Sequence, residues 1–317
     1  MSVSLEIEKP LLELEEKYSA LLRASLTRDA DMDSGILLMQ EKMTQLKGMF
    51  FQQFSAHEKV QMARHPQRPY PPDYIKLIFE NFLELHGDRR YADDKAIFGG
   101  FAFFDSQPVM LIATRKGRDL KSNMETNFGC AHPEGYRKAW RLMKLADKVK
   151  CPVITLVDTP GAYPGIAAEE RHIGEAIACN LRDMFRLSVP VVSVITGEGG
   201  SGGALGISVA NRVLIMANAY YSVITPEGCA AILWRSVEAI PKAAEALKLT
   251  SDDLKRLGVA DEVVAEPLGG AHRDYSAAAE LLAAALRRHL QDLRRMSPEQ
   301  LRQDRYDKFR GMGQFLC

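Results

Sequence analysis

The sequence predicts an α/β fold built as a stacked ββα spiral, with a helical extension at its N-terminus. Three observations predict it. Short apolar runs recur, each closed by a segment with the three-to-four spacing of an amphipathic helix. Several of these units place two strands before the helix, which favours a spiral over a plain doubly wound sheet. No stretch repeats at a fixed period, which argues against a solenoid. The 317 residues suffice for one large domain with an extension, and the 46% hydrophobic content is that of a globular protein with a core.

Leu11, Leu14, Tyr18 and Leu21 share one helical face, and Ile36, Met39, Met43, Leu46 and Phe50 share another. Two amphipathic helices are expected, joined by a polar linker over 27–35. The pair is too small to bury both faces alone, so it should dock on the main domain or on a partner. Asp29, Asp31 and Asp33 invite a calcium reading of the linker. An EF-hand loop wants glycine directly after its third acidic ligand and a closing glutamate; here Ser34 precedes Gly35, and Gln40 takes the glutamate's place. The linker reads as solvated.

The prolines of 65–72 form a helix-breaking connector. Apolar runs at 96–104 and 109–114 flank Asp105-Ser-Gln-Pro108 and read as a hairpin. Segment 133–149 is a helix with Tyr136, Trp140, Met143 and Ala146 on one face. A buried strand follows at 151–157. A helix at 167–185 turns Ile173, Ile177, Leu181 and Met184 inward. Strands follow at 191–195, 212–216 and 221–224. Thr250 caps the next helix, with Asp253 three residues on, as in a weak capping box. Segment 259–264 is a last strand, and 275–293 is a long helix rich in alanine and leucine.

The strand at 191–195 runs into Thr196-Gly-Glu-Gly-Gly-Ser-Gly-Gly-Ala204, where a helix of small residues is expected to begin. Glycine lets a backbone turn sharply and approach a ligand with no Cβ in the way. The first N–H groups of a helix lack intrahelical partners and carry partial positive charge. Gly202 and Gly203 can therefore offer two amides to an oxygen that gains negative charge, an oxyanion hole suited to enolate or acyl chemistry. Other readings stand beside this one. The glycines can simply permit close helix–sheet packing. A phosphate loop needs a closing Gly-Lys-Ser/Thr, whereas Ala204-Leu205 stands here. Gly199-Gly-Ser201-Gly-Gly203 also matches the G-x-S-x-G elbow of serine hydrolases, and Asp261 and His272 follow in the right chain order.

A second loop, Asp158-Thr-Pro-Gly-Ala-Tyr-Pro-Gly165, ends the strand at 151–157. Ligand sites of α/β proteins lie at such strand ends, and consecutive strands are usually neighbours. The two loops should lie side by side. Asp158 is expected to anchor its own turn.

Composition narrows the function classes. The 41 basic and 41 acidic side chains balance, which gives no support for binding nucleic acid or a membrane surface. The five cysteines are scattered with no C-x-x-C, so neither a disulfide framework nor a zinc knuckle is suggested. The seven histidines show no metal-ligand spacing. The N-terminus lacks the basic and apolar regions of a signal peptide.

Long stretches resemble one family, the alpha subunits of bacterial acetyl-coenzyme A carboxylase carboxyltransferases. They are Arg64-His-Pro-Gln-Arg-Pro-Tyr70, Tyr91-Ala-Asp-Asp-Lys95, Pro133-Glu-Gly-Tyr-Arg-Lys-Ala139, the loop from Asp158 to Gly165, Gly197-Glu-Gly-Gly-Ser-Gly-Gly-Ala-Leu205, Pro226-Glu-Gly-Cys-Ala230 and Glu266-Pro-Leu-Gly-Gly-Ala-His-Arg273. The resemblance implies a crotonase-like fold, the ββα superhelix of the ClpP/crotonase type. The chain is expected to divide into an N-terminal extension and linker over 1–35, a carboxyltransferase domain over 36–293 and a tail over 294–317, with the resemblance spanning about 64–273. The resemblance implies transfer of a carboxyl group from carboxybiotin, on a biotin carboxyl carrier protein, to acetyl-CoA, forming malonyl-CoA for fatty acid synthesis. The implied partner is a beta subunit of related fold that bears a zinc ribbon, in an α2β2 assembly, with biotin carboxylase in the wider complex.

By the family pattern Gly202 and Gly203 form the hole on the biotin side. Asp158, Pro160, Gly161, Ala162 and Tyr163 form its wall, with Gly199, Gly200, Ser201 and Ala204 framing it. Biotin on its carrier is then the cofactor, this chain carries no metal, and a cytoplasmic location is expected. A serine hydrolase acting through Ser201 is the alternative. A lone hydratase or isomerase of the same fold would need a positioned carboxylate, for which Glu198 is the best candidate.

Overall fold

Parallel strands buried along both faces need cover on both sides, and the two central strands here meet that condition. β4 (Val153–Thr159) and β5 (Val191–Gly200) are buried throughout. They sit inside one sheet with β1 (Glu80–Glu84), β2 (Ile97–Phe104), β3 (Gln107–Thr114), β6 (Arg212–Met216), β7 (Tyr220–Ser222) and β8 (Glu262–Val264). The order is β1-β2-β3-β4-β5-β6-β8, with β7 also on β5. β1 to β3 form an antiparallel meander, and every pairing from β3 onward is parallel. The computed structural model describes residues 5–25, 41–45, 48 and 54–313.

The helices are α1 (Lys9–Ser25), α2 (Ala56–Ala63), α3 (Pro71–Ile78), α4 (Leu120–Glu125), α5 (Pro133–Lys148), α6 (Ile166–Glu169), α7 (Ile173–Met184), α8 (Ser201–Leu205), α9 (Pro226–Leu233), α10 (Ile240–Leu247), α11 (Ser251–Arg256), α12 (Tyr275–Leu293) and α13 (Pro298–Arg310). α5 packs on β2, β3 and α7, while α12 packs on α3, β5 and β8. Strand and helix side chains meet in one core that includes Leu142, Met143, Ile154, Val194, Leu282 and Leu286.

The elements at 133–149, 212–216 and 275–293 form as expected, and Thr250 accepts the Asp253 amide at the start of α11. The hairpin turn is tighter than the expected four residues. Asp105 and Ser106 alone form it, both at positive φ (49° and 60°), the geometry of a two-residue primed turn. The helix expected over 167–185 is split into α6 and α7, because His172 adopts φ 64° between them. The proline connector also starts α3, whose first turn tolerates Pro71 and Pro72 since no amide is needed there. β1 and the helices α2, α4, α9 and α10 are additions that the apolar spacing did not disclose.

The segment expected as a tail after 294 carries α13, which buries Leu301 and Arg305. The Arg305 guanidinium donates to the carbonyls of Met184, Leu187 and Val189, satisfying a connection that β hydrogen bonds leave open. The first N-terminal helix forms as α1. Of the second, residues 41–45 are helical and Met43 is buried. The linker at 27–35, with Asp29, Asp31 and Asp33, lies outside the described residues.

β5 decides where the site lies. It does not stop at Ile195 but continues through Gly197, Glu198, Gly199 and Gly200. Val192–Ile195 pair with β6, and Glu198–Gly200 pair with β7. The β4–β5 register slips between Val157 and Thr159. The strand pair thus opens at its C-terminal end, where both glycine loops emerge.

Candidate active site

The two loops meet backbone to backbone. A Cβ on Gly200 would lie 2.0 Å from the Pro160 carbonyl oxygen, and one on Gly203 would lie 2.3 Å from the Gly161 carbonyl carbon and 2.4 Å from the Ala162 nitrogen. Only glycine admits that approach. The turn into α8 is made by Ser201, at φ 52°, and not by a glycine. Gly200 caps α8 without a side-chain bond, so the amides of Gly202 and Gly203 fall in a first turn that lacks intrahelical acceptors.

Gly202 opens onto an apolar groove of about 340 Å³, lined also by Leu205, Tyr221, Val223, Leu254 and Phe309. Ser201 is exposed at its mouth, while Gly199, Gly200, Gly203 and Ala204 are buried behind it. A larger cavity of about 660 Å³ lies at the opposite ends of the strands, beside Pro152 and Pro190, away from both loops.

The second loop is held from outside. The Thr159 hydroxyl donates to the Gly129 carbonyl at 2.7 Å and accepts the Gly161 amide at 3.1 Å. The Tyr163 amide donates to the Ala131 carbonyl at 3.0 Å, and its ring lies 4.2 Å from that of His132. Pro160, Ala162 and Tyr163 are half-buried and Gly161 is buried. Asp158 is placed differently from expectation. It is fully buried beneath the loops and does not anchor its own turn. Its Oδ1 accepts the Glu198 amide at 2.9 Å and the Lys116 ammonium at 2.6 Å, which ties β4 to β5. Oδ2 is buried without a hydrogen-bond partner.

That tie belongs to a charge network that the sequence did not disclose. Lys116 also donates to Glu198 Oε1 at 2.6 Å. Glu198 Oε2 accepts from Arg64 at 2.6 Å and from the Tyr220 hydroxyl at 2.7 Å, and Arg64 continues to Glu227 at 2.7 Å. Burial alone would raise the Glu198 carboxyl; Lys116 and Arg64 overcome it and hold it at about 2. Burial alone would lower the Lys116 ammonium; Asp158 and Glu198 raise it instead. Glu198 is therefore a poor base, and the hydratase reading loses its carboxylate. Arg64 stands in the first family-like stretch and Glu198 in the glycine stretch, but nothing local joins them to Lys116.

Removing one partner of a buried ion cluster leaves an uncompensated charge, at about 3–5 kcal/mol. We expect Lys116→Met to lower the melting temperature by roughly 5–15 °C, read by circular dichroism. An unchanged melt would show the cluster to be dispensable. The sign follows from the shifts. Glu198 contributes fully above its ordinary 4.5 and loses this as pH falls towards about 2. Lys116 contributes below its ordinary 10.5 and loses this in alkali.

The hydrolase constellation is not assembled. His272 Nε2 donates to Glu8 at 2.9 Å. Asp261 accepts the Val213 amide at 2.6 Å and pairs with Lys308. Neither is bonded to Ser201.

A family model for acetyl co-enzyme A carboxylase carboxyltransferase-like proteins matches residues 4–313. The chain is 53% identical over 312 residues to the acetyl-coenzyme A carboxylase carboxyl transferase subunit alpha of Geobacter metallireducens, covering 98% of each. It is 51% identical over 311 residues to that of Thermus thermophilus, again covering 98% of each. Among solved structures it is similar to transcarboxylase 12S, with a TM-score of 0.56 and 23% identity, over 71% of this chain and 42% of that one. It is also similar to a Pseudomonas malonate decarboxylase hetero-dimer, with a TM-score of 0.57 and 19% identity, over 70% and 90%.

Proposed function

Because the chain belongs to the acetyl-coenzyme A carboxylase carboxyltransferase family, as an alpha subunit, we propose that its two glycine loops form the carboxybiotin side of the active site. The fold is the crotonase-like one, and the reaction is carboxyl transfer from carboxybiotin to acetyl-CoA, giving malonyl-CoA for fatty acid synthesis. The observation that carries the site assignment is the close approach of the loops, beside which Gly202 lines an apolar groove. That arrangement suits a flat ring with a polar oxygen at one edge.

Carboxybiotin, when bound, supplies the carboxyl group and then a nitrogen able to take the acetyl α-proton. The amides of Gly202 and Gly203 hold the ureido oxygen as it gains charge, each donor being worth about 3 kcal/mol. Pro160, Gly161, Ala162 and Tyr163 form the wall that keeps the ring against those amides. Gly199, Gly200 and Ala204 keep the wall close. Asp158 acts from below, through Lys116 and Glu198, by fixing the spacing of the loops. No side chain here need act as base, which agrees with the engagement of Glu198 by Lys116, Arg64 and Tyr220.

The partner in this reading is a beta subunit with a zinc ribbon, in an α2β2 assembly fed by biotin carboxyl carrier protein and biotin carboxylase. Exposed apolar side chains support such a partner: Val223, which lines the groove, and Ile232, Leu233 and Val237 are each at least 65% exposed. No metal is assigned to this chain. A cytoplasmic site of action follows from the pathway; among the described residues no helix is long and apolar enough to cross a membrane.

The test is transfer by the reconstituted complex with Ser201→Ala. A loop serine should cost at most about tenfold, whereas loss of a nucleophile costs several orders of magnitude. Collapse of turnover with an intact fold, together with fluorophosphonate labelling of Ser201 in the unsubstituted chain, would establish the hydrolase instead.

A further inference from the structure

The N-terminal segment reaches the active-site region through one buried carboxylate. Glu8, in the turn before α1, is 1% exposed. Its Oε1 accepts His272 Nε2 at 2.9 Å, and its Oε2 lies 3.2 Å from His65 Nε2 and accepts the Leu5 amide at 3.0 Å. The two imidazoles stack at 3.9 Å. These donors hold the Glu8 carboxyl well below the usual range in spite of its burial.

The trio has the make-up of a metal site, but His65 is committed otherwise. Its Nδ1 accepts the Gln67 amide at 3.1 Å. The ring proton therefore sits on Nε2, which lies 3.2 Å from Glu8 Oε2 without an aligned hydrogen bond, so Nε2 has no lone pair for a cation. The cluster is a clasp in which His272 bonds Glu8 and the His65 ring stacks on His272 with its Nε2 beside the carboxylate.

The clasp grips a segment that feeds the site at two points. Arg64, next to His65, bonds Glu198 and Glu227. Arg68, fully buried, donates to the β5 carbonyl of Thr196 at 2.8 Å and pairs with Glu266 at 2.6 Å. The carbonyls of Pro66, Gln67 and Arg68 are held separately by Arg118 and Tyr275. The segment is thus held at several points besides Glu8, and the contact of Glu8 bears on the His65 ring, next in sequence to Arg64.

We propose that Glu8 is a positioning residue for carboxyl transfer, acting through His65 to hold Arg64 against Glu198. The proposal rests on the carboxyltransferase reading. It gives the N-terminal segment a role in turnover and not only in docking. Glu8→Gln is the variant of choice, since it keeps the shape but removes the negative charge that both imidazoles face.

The full chain is assembled with its beta subunit, and transfer is measured for Glu8→Gln, Arg64→Gln and the double variant. Glu8→Gln should lower kcat about tenfold with KM for acetyl-CoA unchanged and gel filtration normal. The double variant should fall no further than Arg64→Gln alone, because coupled residues are not additive. Losses that multiply, a wild-type kcat in either single variant, or a loss explained by failed assembly would each overturn the proposal. An unsubstituted complex with no transfer would instead sink the functional reading.

Discussion

Gly203→Val should lower carboxyl transfer at least about a hundredfold, of the order expected for losing one oxyanion donor. The cause is the contact between the loops. A Cβ at this position would stand 2.3 Å from the Gly161 carbonyl carbon, so the 158–165 loop must retreat or the first turn of α8 must twist. Either movement takes an amide off its target. Gly203 φ is not in the left-handed region, so the penalty comes from lost space and not from backbone strain. Gly202→Ala is the contrast: its Cβ meets nothing nearer than Ile177 at 3.7 Å, and its loss should be much smaller. Turnover is read by the reverse reaction, decarboxylation of malonyl-CoA with free biotin, beside gel filtration. An assembled Gly203→Val complex with near-normal turnover would place the oxyanion donors elsewhere.

The isolated chain should form no malonyl-CoA, and adding a beta subunit should restore the reaction. In the proposed site the amides of Gly202 and Gly203 serve one oxyanion. An acetyl-CoA enolate needs a second set of donors, which the beta subunit supplies in this reading. The groove at Gly202 is bordered by exposed Val223, which a partner seated on the groove would cover. The measurement is malonyl-CoA formation by rigorously purified chain, before and after a beta subunit is added. Robust activity from the chain alone would refute the division of the site between two subunits.

Much of the fold could be read from spacing. The period of 3.6 in α12 and the apolar runs of β4, β5 and β6 come from which residues must face the core, and that pattern is local. Prolines marked the connector but concealed α3, because proline both breaks a helix and begins one. The extension of β5 through Gly197–Gly200 was hidden for the opposite reason. Glycine carries no strand preference, and here pairing with β4 and β7 decides the conformation.

The sequence by itself determined the family, the two glycine loops and the strand ends that carry them, since each depends on residue types within a few positions. Only the tertiary structure decided what stands beneath those loops. Lys116 meets Asp158 and Glu198, Arg64 meets Glu198 and Glu227, and Glu8 meets His272 from 264 residues away. A buried charge must find an opposite charge or a hydrogen bond wherever the chain returns, and no local period records that return. Tertiary contact likewise turned Asp158 from a turn residue into the link between two strands. It also showed that Gly203 is required for the loop it touches and not for the angle it adopts.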